Sequence, residues 1–253
     1  MDTRPIGVFD SGLGGLTVVH EIVKLLPNED VVYLGDTARV PYGTRSAETV
    51  KKFSVQDANF LLSKDVKCIV IACNTSSAYA AKLLKQKIKI PVFDVVSSAM
   101  AKREKERVGV IGTRGTIASG AYAVPYSKAC PLLVSFIEEG QTEDRALGLV
   151  VKDYLRELRG KKIHTLILGC THYPIISDLI QKEIGEKVKL INPGKLVAKD
   201  LKEVLIRRKM LNENRTEGKR FYFVTDLTPR FVKVAEMFLG EKIGGKIRKV
   251  DIE

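Results

Sequence analysis

The sequence has no tryptophan, three histidines and only four cysteines in 253 residues. Those thiols, Cys68, Cys73, Cys130 and Cys170, form no C-x-x-C pair and no cysteine–histidine cluster at zinc spacing. A disulfide framework and a structural metal are therefore not expected, and each thiol is to be read singly. No apolar run reaches bilayer-spanning length, so no membrane partner is expected. The start, MDTRPIGVFDSG, lacks the charged-then-apolar layout of a secretory signal, and a cytoplasmic location is the default. Asn and Gln together number ten while Lys and Glu are abundant, a composition that leans towards a thermophilic source.

What the chain has in excess is positive charge, +12 at neutral pH. The basic residues are spread along the whole length and often neighbour acids, as in KREKER at 102–107. Without a basic stripe or interleaved aromatics, this reads as a charged solvated surface rather than a nucleic-acid interface. Such a surface can also concentrate an acidic substrate.

Short apolar runs alternate with amphipathic stretches of helical length. Strands are predicted at Ile6–Phe9, Val31–Leu34, Cys68–Ala72, Pro91–Asp94, Val108–Ile111, Leu132–Phe136, Thr165–Leu168, Lys189–Ile191 and Phe221–Thr225. Helices are predicted at Gly15–Leu26, Ser46–Lys64, Ser77–Lys85, Thr142–Leu158, Ile175–Ile184, Gly194–Lys209 and Pro229–Leu239. Repeated strand-then-helix order predicts an α/β fold with mostly parallel sheets, in which ligands gather at the carboxyl ends of strands.

Two segments echo each other. IVIACNTS and LILGCTHY share an apolar triplet, a small residue, a cysteine and two polar residues, and their cysteines lie 97 positions apart. The echo predicts two similar, pseudo-symmetric α/β domains with a site in the cleft between them. The expected boundaries are 1–97 plus 208–253 for the unit carrying Cys73, and 98–207 for the unit carrying Cys170. The polar stretch REKERVG (103–109) reads as the helix end leading into the second unit.

Cys68 and Cys130 fit the ordinary role of a cysteine, a small buried hydrophobe. Cys73 fits it badly, because the cap-forming Asn74, Thr75, Ser76 and Ser77 follow at once. A thiol at a helix N-terminus is expected to have a lowered pKa. Cys170 has a similar setting beside Thr171 and His172, with Pro174 at the helix start. Two thiols in equivalent places suit the inversion of a stereocentre, which needs a base on one face and an acid on the other.

The segments GVFDSGLGGLTV, YLGDTARVPYG, ACNTSSA, VGVIGTRGTIASGAY and LGCTHYP, in this order over about 195 residues, closely resemble the glutamate racemases of the aspartate/glutamate racemase family. The resemblance implies two α/β domains, no cofactor, glutamate as substrate, D-glutamate for peptidoglycan as the product's use, and a homodimer. It implies Cys73 and Cys170 as the two acid–base groups, the first acting on D-glutamate and the second on L-glutamate. Asp10 would assist Cys73 or meet the ammonium, Ser11 would donate to substrate, and His172 would act beside Cys170. Asn74, Thr75 and Thr171 would hold a carboxylate, Tyr42 and Gly43 would touch the substrate, and Asp36 would support the network.

Three places depart from the family pattern. A glutamate usual on one helix is matched here to Asp153, Asn192-Pro193-Gly194 replaces an aspartate and a serine, and Asp94–Met100 lacks a Glu-Pro-Gly. Relatives activated by a peptidoglycan precursor carry an N-terminal extension, so that regulation is not expected for this chain. The rival readings are an aspartate or related racemase of the same family, a thiol redox protein using Cys73 and Cys170 as a couple, and a basic DNA-associated protein.

Overall fold

The structure is a computed structural model that describes residues 1–101, 107–214, 216–229, 231–243 and 247–252. The first part of the chain folds as β1 (Ile6–Asp10), α1 (Leu16–Leu25), β2 (Val31–Gly35), α2 (Ala47–Leu62), β3 (Cys68–Ile71), α3 (Asn74–Lys87), β4 (Val92–Asp94) and α4 (Val95–Ala101). There follow β5 (Val108–Gly112), α5 (Arg114–Ala118), β6 (Tyr126–Ala129), α6 (Leu132–Glu138), α7 (Arg145–Gly160), β7 (Thr165–Gly169), α8 (Ser177–Ile184), β8 (Lys189–Ile191) and α9 (Pro193–Arg207). The chain then adds β9 (Arg220–Val224), α10 (Phe231–Leu239) and β10 (Ile247–Lys249).

The strands make two sheets, ordered β10-β9-β2-β1-β3-β4 and β6-β5-β7-β8. Every described pairing is parallel. Within the first sheet the order β2-β1-β3-β4 repeats in the second as β6-β5-β7-β8, so β1 corresponds to β5 and β3 to β7. The internal echo is thus a repeat of topology as well as of sequence. In both units the chain reverses direction across the sheet beside the first strand, the crevice where open α/β sheets take their ligands. Cys73 follows β3 and Cys170 follows β7, in equivalent places.

Helices cover both faces, so the central strands read as unbroken apolar runs, and β1, β2, β3, β5 and β7 are buried along their whole length. α1 and α4 of the first part pack against α9. Buried Lys67 pins three segments together, donating to Glu29 Oε2 at 2.5 Å and to the carbonyls of Asp2 and Met210 at 2.8 Å each.

Two readings of the sequence need correction. Leu132–Phe136 is a helix, not a strand. Pro131 caps it with helical backbone, and Leu133 and Ile137, four apart, are buried while Leu132 faces solvent. The strand of that region is β6, whose Tyr-Ser-Lys-Ala sequence at a sheet edge carries no apolar run. The helix after β3 starts at Asn74 rather than Ser77, so the capping position belongs to Cys73 itself. The stretch 103–106 lies outside the described residues.

Candidate active site

Cys73 ends the apolar run of β3 and serves as N-cap of α3. Its sulfur accepts from the Ser76 N–H at 3.4 Å and its S–H donates to Ser11 Oγ at 3.5 Å. The expectation of a lowered thiol pKa fails here. Burial, and then the carboxylate of Asp10, push the Cys73 thiol up to about 11 despite the bonds from Ser76 and Ser11. Desolvation of a buried sulfur outweighs one helix terminus. Asp10, at the end of β1, is itself fully buried and pushed up by burial. Its Oδ2 accepts from the Gly12 N–H at 3.0 Å, while Oδ1 has no hydrogen-bond partner.

Cys170 leaves β7 for a tight 3₁₀ turn, Tyr173–Ile176. His172 shares its ring among three partners. Nδ1 lies 3.6 Å from Cys170 Sγ and 3.4 Å from Thr171 Oγ1, and Nε2 lies 2.9 Å from Glu138 Oε1. Burial opposes charge on this ring, but the bonds to Cys170 and Glu138 win and raise the imidazole to about 10. A proton held there places a positive charge against Cys170 sulfur. Gly14 lets the loop before α1 come this close: a Cβ on it would lie 2.2 Å from Thr171 Oγ1 and 2.6 Å from the His172 ring. Thr17 adds a tie from α1, donating to the Thr171 carbonyl at 2.9 Å.

Glu138 is not legible in the sequence, because the apolar run of its helix reads as a strand. Asp153, matched there to the family's glutamate, stands on α7 with its side chain 65% exposed and paired to Arg156 at 2.8 Å. It takes no part in the site, and α6 supplies the carboxylate.

Tyr42 forms one wall. Its hydroxyl reaches two carboxylates, Asp36 Oδ2 by a short bond and Asp57 Oδ2 at 3.0 Å. One hydroxyl has one proton to give, so the second acid must carry a proton of its own. Burial and the charge of Asp36 hold Asp57 well above the ordinary carboxylate range, which makes Asp57 the protonated member. Asp36 pairs with Arg39, whose Nε donates at 2.6 Å, and accepts from Thr225 Oγ1 at 2.9 Å. Asp36 therefore stands behind Tyr42 and does not line the cavity. Asp57 was missed, since a lone aspartate in an amphipathic helix carries no motif.

The two units meet over a cluster of hydroxyls. Thr75 Oγ1 lies 3.0 Å from both Thr113 Oγ1 and Thr116 Oγ1, and Tyr122 donates to Asn74 Oδ1 at 2.6 Å. Gly43 abuts the same place, where a Cβ would sit 2.5 Å from the Thr113 Cβ. Thr113, Thr116 and Tyr122 lay inside a motif of the sequence without being singled out.

A cavity of about 30 Å³ lies between the units, and Ser11, Tyr42, Gly43, Cys73, Asn74, Thr75, Thr113, Cys170, Thr171 and His172 are among its walls. Nine of these ten came from the sequence, the exception being Thr113; Asp10 and Asp36 are the two expected residues set behind the wall. Among the described residues no lysine lines the cavity, and no three His, Cys, Asp or Glu side chains are grouped to hold a metal ion. No described helix is long and apolar enough to cross a membrane.

Two thiols reach one cavity from equivalent strand ends of a repeated parallel α/β unit. Known proteins share this fold. The Asp/Glu/Hydantoin racemase family matches residues 6–201, and the chain belongs to it. A glutamate racemase of Geobacter metallireducens is 45% identical over 96% of both chains. A glutamate racemase of Francisella tularensis, solved in complex with D-glutamate, superposes with a TM-score of 0.94 at 44% identity, covering 100% of this chain and 99% of its own. That of Thermus thermophilus, in complex with beta-chloro-D-alanine, gives 0.93 at 40% identity and the same coverage.

Proposed function

We propose that this protein is a glutamate racemase that inverts Cα by two-base proton transfer without a cofactor. The observation that carries the reading is that Cys73 and Cys170 line one cavity from opposite, topologically equivalent units. With L-glutamate bound, the Cys170 sulfur, its proton held on His172, takes the α-proton as the Cα–H bond breaks. The electron pair passes into the α-carboxylate. The Cys73 thiol then gives its proton to the other face of Cα, leaving a Cys73 thiolate and D-glutamate. The raised pKa of Cys73 suits this order, since it rests as an acid. For D-glutamate the roles exchange, and buried Asp10 helps take the proton from Cys73.

The substrate's carboxylates are held by Ser11, Gly43, Asn74, Thr75 and Thr171. Hydroxyls and backbone amides at the helix start after Cys73 fit an anion. Among the described residues no lysine for a Schiff base stands on the cavity wall, which favours chemistry without an electron-sink cofactor. The cavity has about the volume of one water in the liquid, so the units open to admit glutamate and close over it. The units are taken as 1–97 plus 208–253 and 98–207. This division is supported by the strands of the first sheet coming from 6–94 and 220–249 and those of the second from 108–191. The enzyme acts in the cytoplasm as a homodimer and supplies D-glutamate for peptidoglycan.

The test is racemisation of L-glutamate and of L-aspartate by the purified protein with no added cofactor, read by chiral chromatography. Conversion of glutamate to a mixture of enantiomers, with aspartate turned over far more slowly, is the expected result. Preference for aspartate would move the substrate to the family's other acid. No conversion of either would overturn the reading.

A further inference from the structure

A larger cavity, about 640 Å³, lies beyond the carboxyl ends of β2, β9 and β10, on the far side of Asp36 from the thiols. It is of the size that takes a small organic ligand. Three cations line it, Arg39, Lys52 and Lys249, against Asp36 and the rim residue Asp251. Asp36 is fully buried and already engaged by Tyr42, Thr225 and Arg39, so it offers little charge to an occupant. Among the described residues Lys52 has no carboxylate partner, while Lys249 reaches Asp226 at 3.1 Å across an exposed pair that solvent weakens. The apolar part of the wall is Ala38, Val250 and Ile252.

Arg39 joins this cavity to the active site. Its Nη1 donates to Gln56 at 2.6 Å, its Nη2 lies 3.4 Å from Asp57, and its Nε holds Asp36, which holds Tyr42. Its guanidinium also lies 4.1 Å over the Phe53 ring, which packs at 5.5 Å on Tyr42. A change at Arg39 therefore reaches Tyr42 along two routes, one polar and one aromatic.

We propose that this cavity is a second binding site, for an organic phosphate with an apolar body, and that its occupant weakens glutamate binding through Arg39. The phosphate sits among Lys52, Lys249 and Arg39, and the apolar body lies on Val250 and Ile252. An anion that draws Arg39 towards itself loosens its bond to Asp36, and with it the placement of Tyr42. Coupling of this kind is reciprocal, so glutamate weakens the phosphate by the same factor.

The test uses phenyl phosphate as probe on the intact protein, with binding read by calorimetry and racemisation read separately. Saturable binding is expected, weaker by about tenfold or more in the Lys52→Ala/Lys249→Ala variant, whose basal activity stays within about twofold. Saturating probe is expected to raise the KM for glutamate several-fold to a plateau, and the variant is expected to lose this effect. Failure to bind at millimolar probe, or binding that the double variant keeps, would overturn the site. Inorganic phosphate binding as tightly as phenyl phosphate would overturn the apolar half of the ligand. A KM that climbs without a plateau would mean competition at the thiols and would also overturn it, and an unchanged KM would overturn the coupling. The calorimetric arms need no turnover and stand apart from the racemase reading.

Discussion

Glu138 and His172 stand 2.9 Å apart, joining α6 to the loop that follows β7. This pair fixes the histidine tautomer and lets the other ring nitrogen, 3.6 Å from Cys170, exchange a proton with sulfur. Replacing Glu138 by Gln keeps a hydrogen-bond acceptor but removes the charge. The expected outcome is a fall in kcat of about tenfold or more, larger from L-glutamate than from D-glutamate. Asp153→Asn, on the exposed face of α7, is expected to leave kcat and KM within about twofold. Equal effects of the two variants would contradict the placement of the site carboxylate.

The same pair bears on stability against pH. The His172 pKa is raised from 6.5 to about 10 in the folded protein, so between those values this ring holds a proton when folded that it lacks when unfolded. Its stabilising contribution is complete below the unfolded value of 6.5 and is lost as pH climbs towards 10. Cys73, raised from 9.0 to about 11, extends the loss on the alkaline side. Thermal midpoints are thus expected to fall as pH rises above about 7, and Glu138→Gln is expected to flatten the part of that fall below pH 10. A midpoint that rose over this range would contradict the assignment.

Two carboxylates on one tyrosine hydroxyl make a sharper contrast. If Asp57 carries the proton, Asp57→Asn supplies an N–H donor in its place and keeps Tyr42 where it is. A KM within about threefold of the parent is expected for that variant. Asp36→Asn removes the charge facing Arg39 and is expected to raise KM by about tenfold or more with less change in kcat. The reverse order of the two variants would assign the proton to Asp36.

Gly43 meets Thr113 where the two units touch, and a Cβ would sit 2.5 Å from the threonine Cβ. Gly43→Ala is expected to hold the units apart, with a loss of kcat/KM of about a hundredfold and a stability cost of about 1–3 kcal/mol. Gly43→Ala combined with Thr113→Ser, which deletes the methyl group, is expected to recover part of the activity. If the second change restores nothing, the clash is not the cause.

The sequence displayed the two thiols and most of the cavity wall because these residues follow apolar strands in short, dense motifs. It also showed the repeat, since equivalent strand ends carry equivalent residues. What it hid came from other parts of the chain. Glu138 sits at the last position of a short helix whose near-continuous apolar run imitates a buried strand, and β6 is a polar edge strand without a hydrophobic signal. Asp57 faces inwards from the middle of α2, and only the fold brings it to Tyr42. The pKa of Cys73 is hidden from the sequence for a related reason. A helix start is visible in sequence, whereas the depth of burial and the nearness of Asp10 are properties of the folded chain.

The most direct measurement of the central claim follows deuterium in heavy water during the first few per cent of L-glutamate conversion. Two thiols on opposite faces of Cα remove protium on one side and add deuterium on the other. The D-glutamate formed is therefore expected to carry deuterium at Cα while the remaining L-glutamate keeps its protium. Cys73→Ser and Cys170→Ser are each expected to abolish racemisation to below about a thousandth of the parent rate. Protium retained in the D-glutamate, or full racemisation surviving the loss of either thiol, would contradict the two-thiol account.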